Sequence, residues 1–212
     1  MTFTTASAAS VRPNFSRNRL LQALVALYLV VWIVLAVSPV DRQDWMLENL
    51  LAVTVVIVLV ATYRRFPFSD LSYVFLTAFM ILHAVGAHYT YSKVPFGFWL
   101  RDLFHLERNH FDRIVHFAYG LLLVYPVREL FLRAANLKKG WATVMAILAV
   151  IATSGMFEVI ESWVAQIVSP ELGAAYLGTQ GDEWDAQKDM TMAIVGALIT
   201  MSIIPLIPKH TR

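Results

Sequence analysis

The sequence contains no cysteine. Disulfides, thiolate metal sites and cysteine nucleophiles are therefore excluded. Charge is also scarce. Only 15% of residues are Asp, Glu, Lys or Arg and 58% are hydrophobic, where a soluble domain carries about a quarter charged. The net charge of +2 and the lack of a basic cluster argue against a nucleic-acid partner. No H-E-x-x-H, G-x-S-x-G or Walker-type loop occurs. Strands of alternating polarity, which a membrane barrel needs, are missing too.

What remains is a mean hydropathy of +0.60 and long apolar runs. A bilayer core takes about 20 apolar residues per helix. Six segments qualify, at roughly 20–38, 46–62, 71–91, 112–132, 142–166 and 187–207. Only helices or closed barrels satisfy the backbone in lipid. The expected fold is all-α, a polytopic six-transmembrane-helix bundle over residues 20–208. A disordered basic tail is expected over 1–19, with Arg12, Arg17 and Arg19. The run Leu20–Val37 exceeds a signal-peptide core of about 7–15 residues, so a retained helix is expected. With the N-terminus inside, eleven of the 17 Lys and Arg fall on the inner side, which places both termini in the cytoplasm. The segment "PFGFWLRDLFHLERNHF" puts Phe96, Trp99, Leu100, Leu103 and Phe104 on one helical face, which suits a short interfacial helix or an ordinary aromatic loop.

This topology makes the ionisable groups one-sided. All acids but Asp70 and Glu129, and all histidines but His210, fall outside or in the outer halves of helices. At about 1.5 Å per residue, His83 and Glu158 lie about 12 Å below the outer surface, Glu161 about 8 Å and His116 about 6 Å. Charges at such depth normally face the bundle interior and a partner.

Three stretches carry these groups. In "NHFDRIVHFAYG", Asp112 and His116 are i,i+4 and share a face. That spacing suits two metal ligands or a carboxylate orienting an imidazole, and equally an acid at a helix N-terminus beside an interfacial histidine. In "SGMFEVIESW", Glu158 and Glu161 are i,i+3. They need a cation, a shared proton or an arginine, with Arg108 and Arg113 as the structural alternative. In "GTQGDEWDAQKDM", Asp182, Asp185 and Asp189 form a stripe on one helix, open to a cation or to simple capping. His83 and His88 are i,i+5, so at most one of them joins a site. Ser154, one turn before Glu158, is weak evidence for a nucleophile.

The segments "RNHFDRIVHFAYGLLL" and "GTQGDEWDAQKDM" resemble those of the YjdF-like bacterial inner-membrane proteins, a domain-of-unknown-function family of small multi-helix proteins. The resemblance covers the last four helices well and the first two loosely. It implies a multi-pass protein of the bacterial cytoplasmic membrane. It brings no activity, cofactor or catalytic residues.

The expectation is an outward-opening site for a divalent metal. Asp112, His116, Glu158 and Asp189 are the first ligands, and His83, Glu161 and Asp185 stand in or behind them. Imidazole mixed with carboxylate suits Zn, Fe or Mn better than Ca. Such a metal activates water, with Glu158 and Glu161 as candidate catalytic carboxylates, against a lipid or lipid-linked substrate from the surrounding bilayer. The alternatives are a small-solute or proton-coupled transporter and a structural or assembly protein. The nearly uncharged inner half weighs against a continuous relay.

Overall fold

The computed structural model describes residues 14–204, which are helices and short connections with no strand among them. A 3-10 turn at Phe15–Arg17 leads into α1 (Arg19–Ala36), α2 (Arg42–Thr62), α3 (Asp70–His88), α4 (Pro95–Phe104), α5 (Phe111–Arg133), α6 (Lys139–Ile167), α7 (Pro170–Leu177) and α8 (Asp185–Ile203). Most of the tail expected over 1–19 lies outside the described residues, as do 205–208 and His210. The described part of that tail is the 3-10 turn, with Asn18 capping α1 by accepting from Leu21 N at 3.0 Å.

Helix starts follow their side chains. Asp41 accepts from Gln43 N and Asp44 N at α2, and Ser69 accepts from Ser72 N at α3. Ser169 and Pro170 start α7, and Gly178 ends it in the left-handed region at φ 61°. Helix α4 occupies the expected interfacial segment, with Phe96, Trp99, Leu103 and Phe104 all exposed. Helix α7 is an addition, because eight residues are too few to stand out from a polar loop in hydropathy alone.

Helix α5 is the centre of the bundle. It packs on α3, α6 and most extensively α8; α1 and α2 lean on α3, and α7 bridges α6 and α2. The central core joins Val124, Ala146, Val150, Ala193, Ala197 and Met201. Outward faces remain apolar, as at Val30, Val34, Ile57 and Val60, which is stable only against lipid or a partner.

Five helices, α1, α2, α3, α5 and α6, are long and apolar enough to cross a membrane. Helix α8 has 19 residues but begins with Asp185, Lys188 and Asp189 and is not among those five. Its two aspartates are accommodated by neighbours rather than by water, since Asp185 and Asp189 are buried while Lys188 is exposed.

At the end of the bundle away from α4 and α7, Glu129 of α5 ties down the start of α3. Its carboxylate accepts from Ser69 N at 2.9 Å, Ser69 Oγ at 2.7 Å and Ser72 Oγ at 2.5 Å, and pairs with Arg133. Arg133 also donates to the Pro67 carbonyl and lies over the Phe66 ring. Glu129→Ala strands buried donors, each costing about 1–3 kcal/mol. Thermal unfolding of the purified variant is expected to begin several degrees below wild type, and an unchanged transition would refute the tie.

Candidate functional site

The α4–α7 end is closed by a clasp between two connections. Asn109, fully buried, donates its side-chain amide to the Val94 carbonyl at 3.0 Å and accepts from Phe111 N at 3.0 Å. Gln180 pairs with the Asn109 backbone both ways: its Oε1 accepts from Asn109 N at 3.1 Å and its Nε2 donates to Asn109 O at 2.8 Å. Gly97 is required because a Cβ there would collide with the Asn109 side chain. Arg108 donates to the Thr179 carbonyl and pairs with Asp185. Arg113 reaches Asp182 and Asp185, each at 2.8 Å.

This rearranges two expectations. Asp182 is not part of a helical stripe, because α8 starts at Asp185; Asp182 sits in the preceding turn and accepts from Trp184 N at 3.1 Å. The Lys188 ammonium, that N–H and Arg113 hold its carboxyl well below the usual carboxylate range. Secondly, Arg108 and Arg113 pair with acids of residues 182–189, and no arginine among the described residues pairs with Glu158 or Glu161.

Below the clasp lie Asp112 and His116 of α5, Glu158 of α6 and Asp189 of α8. The i,i+4 spacing on α5 puts Asp112 Oδ1 3.6 Å from His116 Nε2. Glu158 Oε1 approaches the same nitrogen to 3.5 Å from the other side. One ligand atom each from Asp112, His116 and Asp189 lie within 4.8 Å of one another. His116 is 8% exposed and Asp189 2%. Asp189 Oδ1 and Glu158 Oε1 have no hydrogen-bond partner. Arg113 Nε stands 3.7 Å from Asp189 Oδ1, outside hydrogen-bonding range, and is itself unpartnered. Three carboxylates thus surround one imidazole, with a guanidinium only at their edge.

Ligands around one ion stand about 2.0–2.2 Å from it, so a bound ion draws these side chains in by roughly an ångström or less. Glu161, one turn further along, is buried on the same face of α6. Asp185 stands apart with the two arginines.

His83 is held elsewhere. Its Nδ1 lies 2.5 Å from Tyr91 Oη and its Nε2 3.2 Å from the Glu48 carbonyl. The carbonyl can only accept, so Nε2 carries the proton and Tyr91 donates to Nδ1. Burial pushes the Tyr91 phenol well up, which keeps it a donor. Both ring nitrogens are therefore engaged. Gly86 lets the Tyr91 ring lie across α3, where a Cβ would come within 2.7 Å of it.

A cavity of about 400 Å³ begins at these groups. Glu48, His83, Tyr91, Asp112, His116, Glu161 and Tyr176 form its polar end, and Val55, Leu76, Phe79, Met80, Leu123 and Met156 line the rest. Burial raises Tyr176, as do the nearby Glu48 and Glu161 carboxylates.

Sequence reasoning missed Asp44 and Glu48, both buried on α2. Neither Asp44 oxygen has a hydrogen-bond partner. The signal was available, since Asp44 and Glu48 repeat the i,i+4 spacing of Asp112 and His116 at the edge of an apolar run. Tyr91 and Tyr176 carried no such signal, because a tyrosine beside a membrane helix is ordinarily an interfacial residue.

Comparison with known proteins adds the following. Residues 20–210 match a family described as "Predicted membrane protein (DUF2238)". The chain is 35% identical over 184 residues to "Inner membrane protein YjdF" of Escherichia coli (strain K12), covering 86% of this chain and 87% of that one. No solved structure matches.

Proposed function

The chain belongs to the DUF2238 family of membrane proteins, and from that premise we propose that it is a six-span inner-membrane protein holding one divalent metal near its outer surface. The sixth span is α8. The two aspartates of its first turns are buried against the bundle, where α8 packs on α5 and α6, and its apolar remainder meets lipid. The majority of Lys and Arg on the side of the termini orients the α4–α7 end outward.

The observation that carries the metal is Asp189. The residue is buried, its Oδ1 bears no hydrogen bond, and one of its oxygens lies in a three-ligand cluster with Asp112 and His116. A buried carboxylate without a hydrogen-bonding partner costs several kcal/mol, and two or three in contact cost more. Arg113, 3.7 Å from Asp189 and outside hydrogen-bonding range, offsets only part of that. A divalent cation removes that cost. One imidazole with two aspartates, and Glu158 in reserve, suits Zn, Fe or Mn. Three protein ligands with a free position is the pattern of a catalytic rather than a structural site.

When bound, the metal lowers the pKa of a coordinated water to about 7. Glu158 and Glu161 then stand where a general base must, with Glu158 Oε1 free to take a proton. The apolar cavity beside them supports an amphiphile as the substrate. We read the site as a metal-dependent hydrolytic centre facing a lipid or lipid-linked substrate. A transport pathway would need a continuous polar route, whereas Leu76, Met80, Leu123 and other apolar side chains make up much of the cavity wall.

Elemental analysis of protein purified in mild detergent without chelator is the test. About one metal per chain is expected in wild type, with loss of at least ten-fold in affinity in His116→Ala and Asp189→Asn. A metal-free wild type sinks the proposal.

A further inference from the structure

The cavity wall is a horseshoe. Going round it, the lining comes from α2, then α3, α5 and α6. Neighbours in that series pack together, but α2 and α6 at its two tips share at most a marginal contact. Helix α7 spans the tips at one end only, packing on both α6 and α2. Below α7 the cavity is open sideways. Leu51 of α2 is 48% exposed, and Met156 and Ile160 of α6 are 58% and 40% exposed, yet all three also line the cavity. A residue that faces both outside and cavity marks a mouth.

We propose that this gap is a lateral portal through which one hydrocarbon chain of a bilayer amphiphile enters between α2 and α6, presenting an uncharged, hydrogen-bonding polar end to Glu48, Tyr91 and His116. The mouth opens where lipid stands if α2 and α6 span the bilayer, and its rim is apolar, so water gains nothing by entering. The volume of about 400 Å³ falls in the range of about 300–1,000 Å³ typical of small-ligand sites. The polar end is rich in carboxylates, with Glu48, Asp112 and Glu161 all on its wall. It disfavours an anionic head through like-charge repulsion, whereas a hydroxyl can donate to a carboxylate or to the Tyr91 oxygen, whose own proton is given to His83. The inference rests on the membrane placement proposed above and not on the metal.

The test is photolabelling in lipid nanodiscs with a long-chain alcohol bearing a diazirine a few carbons from its hydroxyl, followed by peptide mapping. Met80 and Ala52 line the cavity but are shut off from the outer surface, at 7% and 4% exposure. Label on Met80 therefore reports a chain inside. Strong Met80 labelling is expected, reduced at least ten-fold by Ala52→Trp, which fills the cavity, with labelling of outward-facing Val30 and Val60 unchanged. If Ala52→Trp does not fold, Val55→Trp at the mouth serves the same end. A fatty acid carrying the same diazirine is expected to label Met80 several-fold less than the alcohol in metal-depleted protein. Asp189→Asn, expected to lose metal but keep the cavity, should label as wild type, so failure of the metal site and failure of the portal are separate results. Label confined to outer faces such as Val30 and Val60, or Met80 labelling that Ala52→Trp leaves intact, overturns the portal. So does a stable dimer sealed across α2 and α6 with Met80 unlabelled.

Discussion

Replacing Gly196 by leucine is expected to uncouple α8 from α5 and empty the proposed metal site. A Cβ at Gly196 would press on the Phe117 carbonyl and, at 2.6 Å, on Leu121 N, both backbone atoms of α5. Facing it, a Cβ on Gly120 would collide with the Ala193 carbonyl. Thr200 Oγ1 donates to the Leu121 carbonyl at 2.6 Å along the same seam. The two backbones are in contact, as small residues allow between membrane helices. Neither can yield by rotating a side chain, so the helices must part. Overpacking a core costs about 1–3 kcal/mol when side chains can adjust, and more is expected here. Asp189 lies seven residues before Gly196, about 10 Å along α8, and it would move away from Asp112 and His116. The checks are thermal unfolding in detergent and metal content. Gly196→Ala should be intermediate. Gly140→Ala, where a Cβ meets nothing within 4 Å, should be neutral or stabilising. A Gly196→Leu protein that unfolds like wild type and keeps its metal would show that the seam is not the determinant.

Arg113→Ala is expected to lower the unfolding temperature by on the order of 10 °C, and added Zn or Mn should then recover more stability than it adds to wild type. Among the described residues, Arg113 is the one cation within 4 Å of Asp182, Asp185 and Asp189 together. Removing one partner of a buried pair costs about 3–5 kcal/mol, and about 1 kcal/mol shifts the midpoint of a chain this size by about 2–4 °C. The side chain is 14% exposed and Arg108 also serves Asp185, so the lower part of that range applies. The second half of the prediction follows from sign. Without the guanidinium the carboxylates around His116 are less compensated and bind a cation more tightly. A ligand stabilises by RT ln(1 + [L]/Kd), so the metal-induced shift grows. A metal-independent loss of equal size would argue that Asp189 is simply a structural partner of Arg113.

Helix α5 shows what was legible in one dimension. The i,i+4 pair Asp112 and His116 is local geometry, and the fold places it as the spacing requires. The Asp182–Asp185–Asp189 stripe failed at its first member because α8 begins at Asp185: Asp182 finds Trp184 N, Lys188 and Arg113 in the preceding turn and has no need of a helix. Glu48 and Asp44 carry an i,i+4 signal at the edge of an apolar run, but only the path of α2 past the cavity puts Glu48 on its wall.

The sequence by itself determined five long apolar helices, the all-α class and the end of the bundle at which acids and histidines collect. A helix in lipid satisfies its own backbone, so a run of about 20 apolar residues is sufficient information. Which acid meets which base was decided only by the tertiary structure. Arg108 and Arg113 had Glu158, Glu161, Asp182 and Asp185 all within plausible reach along the chain. The contact of Gly120 and Gly196 brings α8, not α6, closest to α5. That contact gives the arginines to Asp182 and Asp185 and leaves Asp112, Glu158 and Asp189 around His116. Charge pairing depends on distances of a few ångströms between helices, and those are set by backbone approach, which no periodicity along one helix encodes.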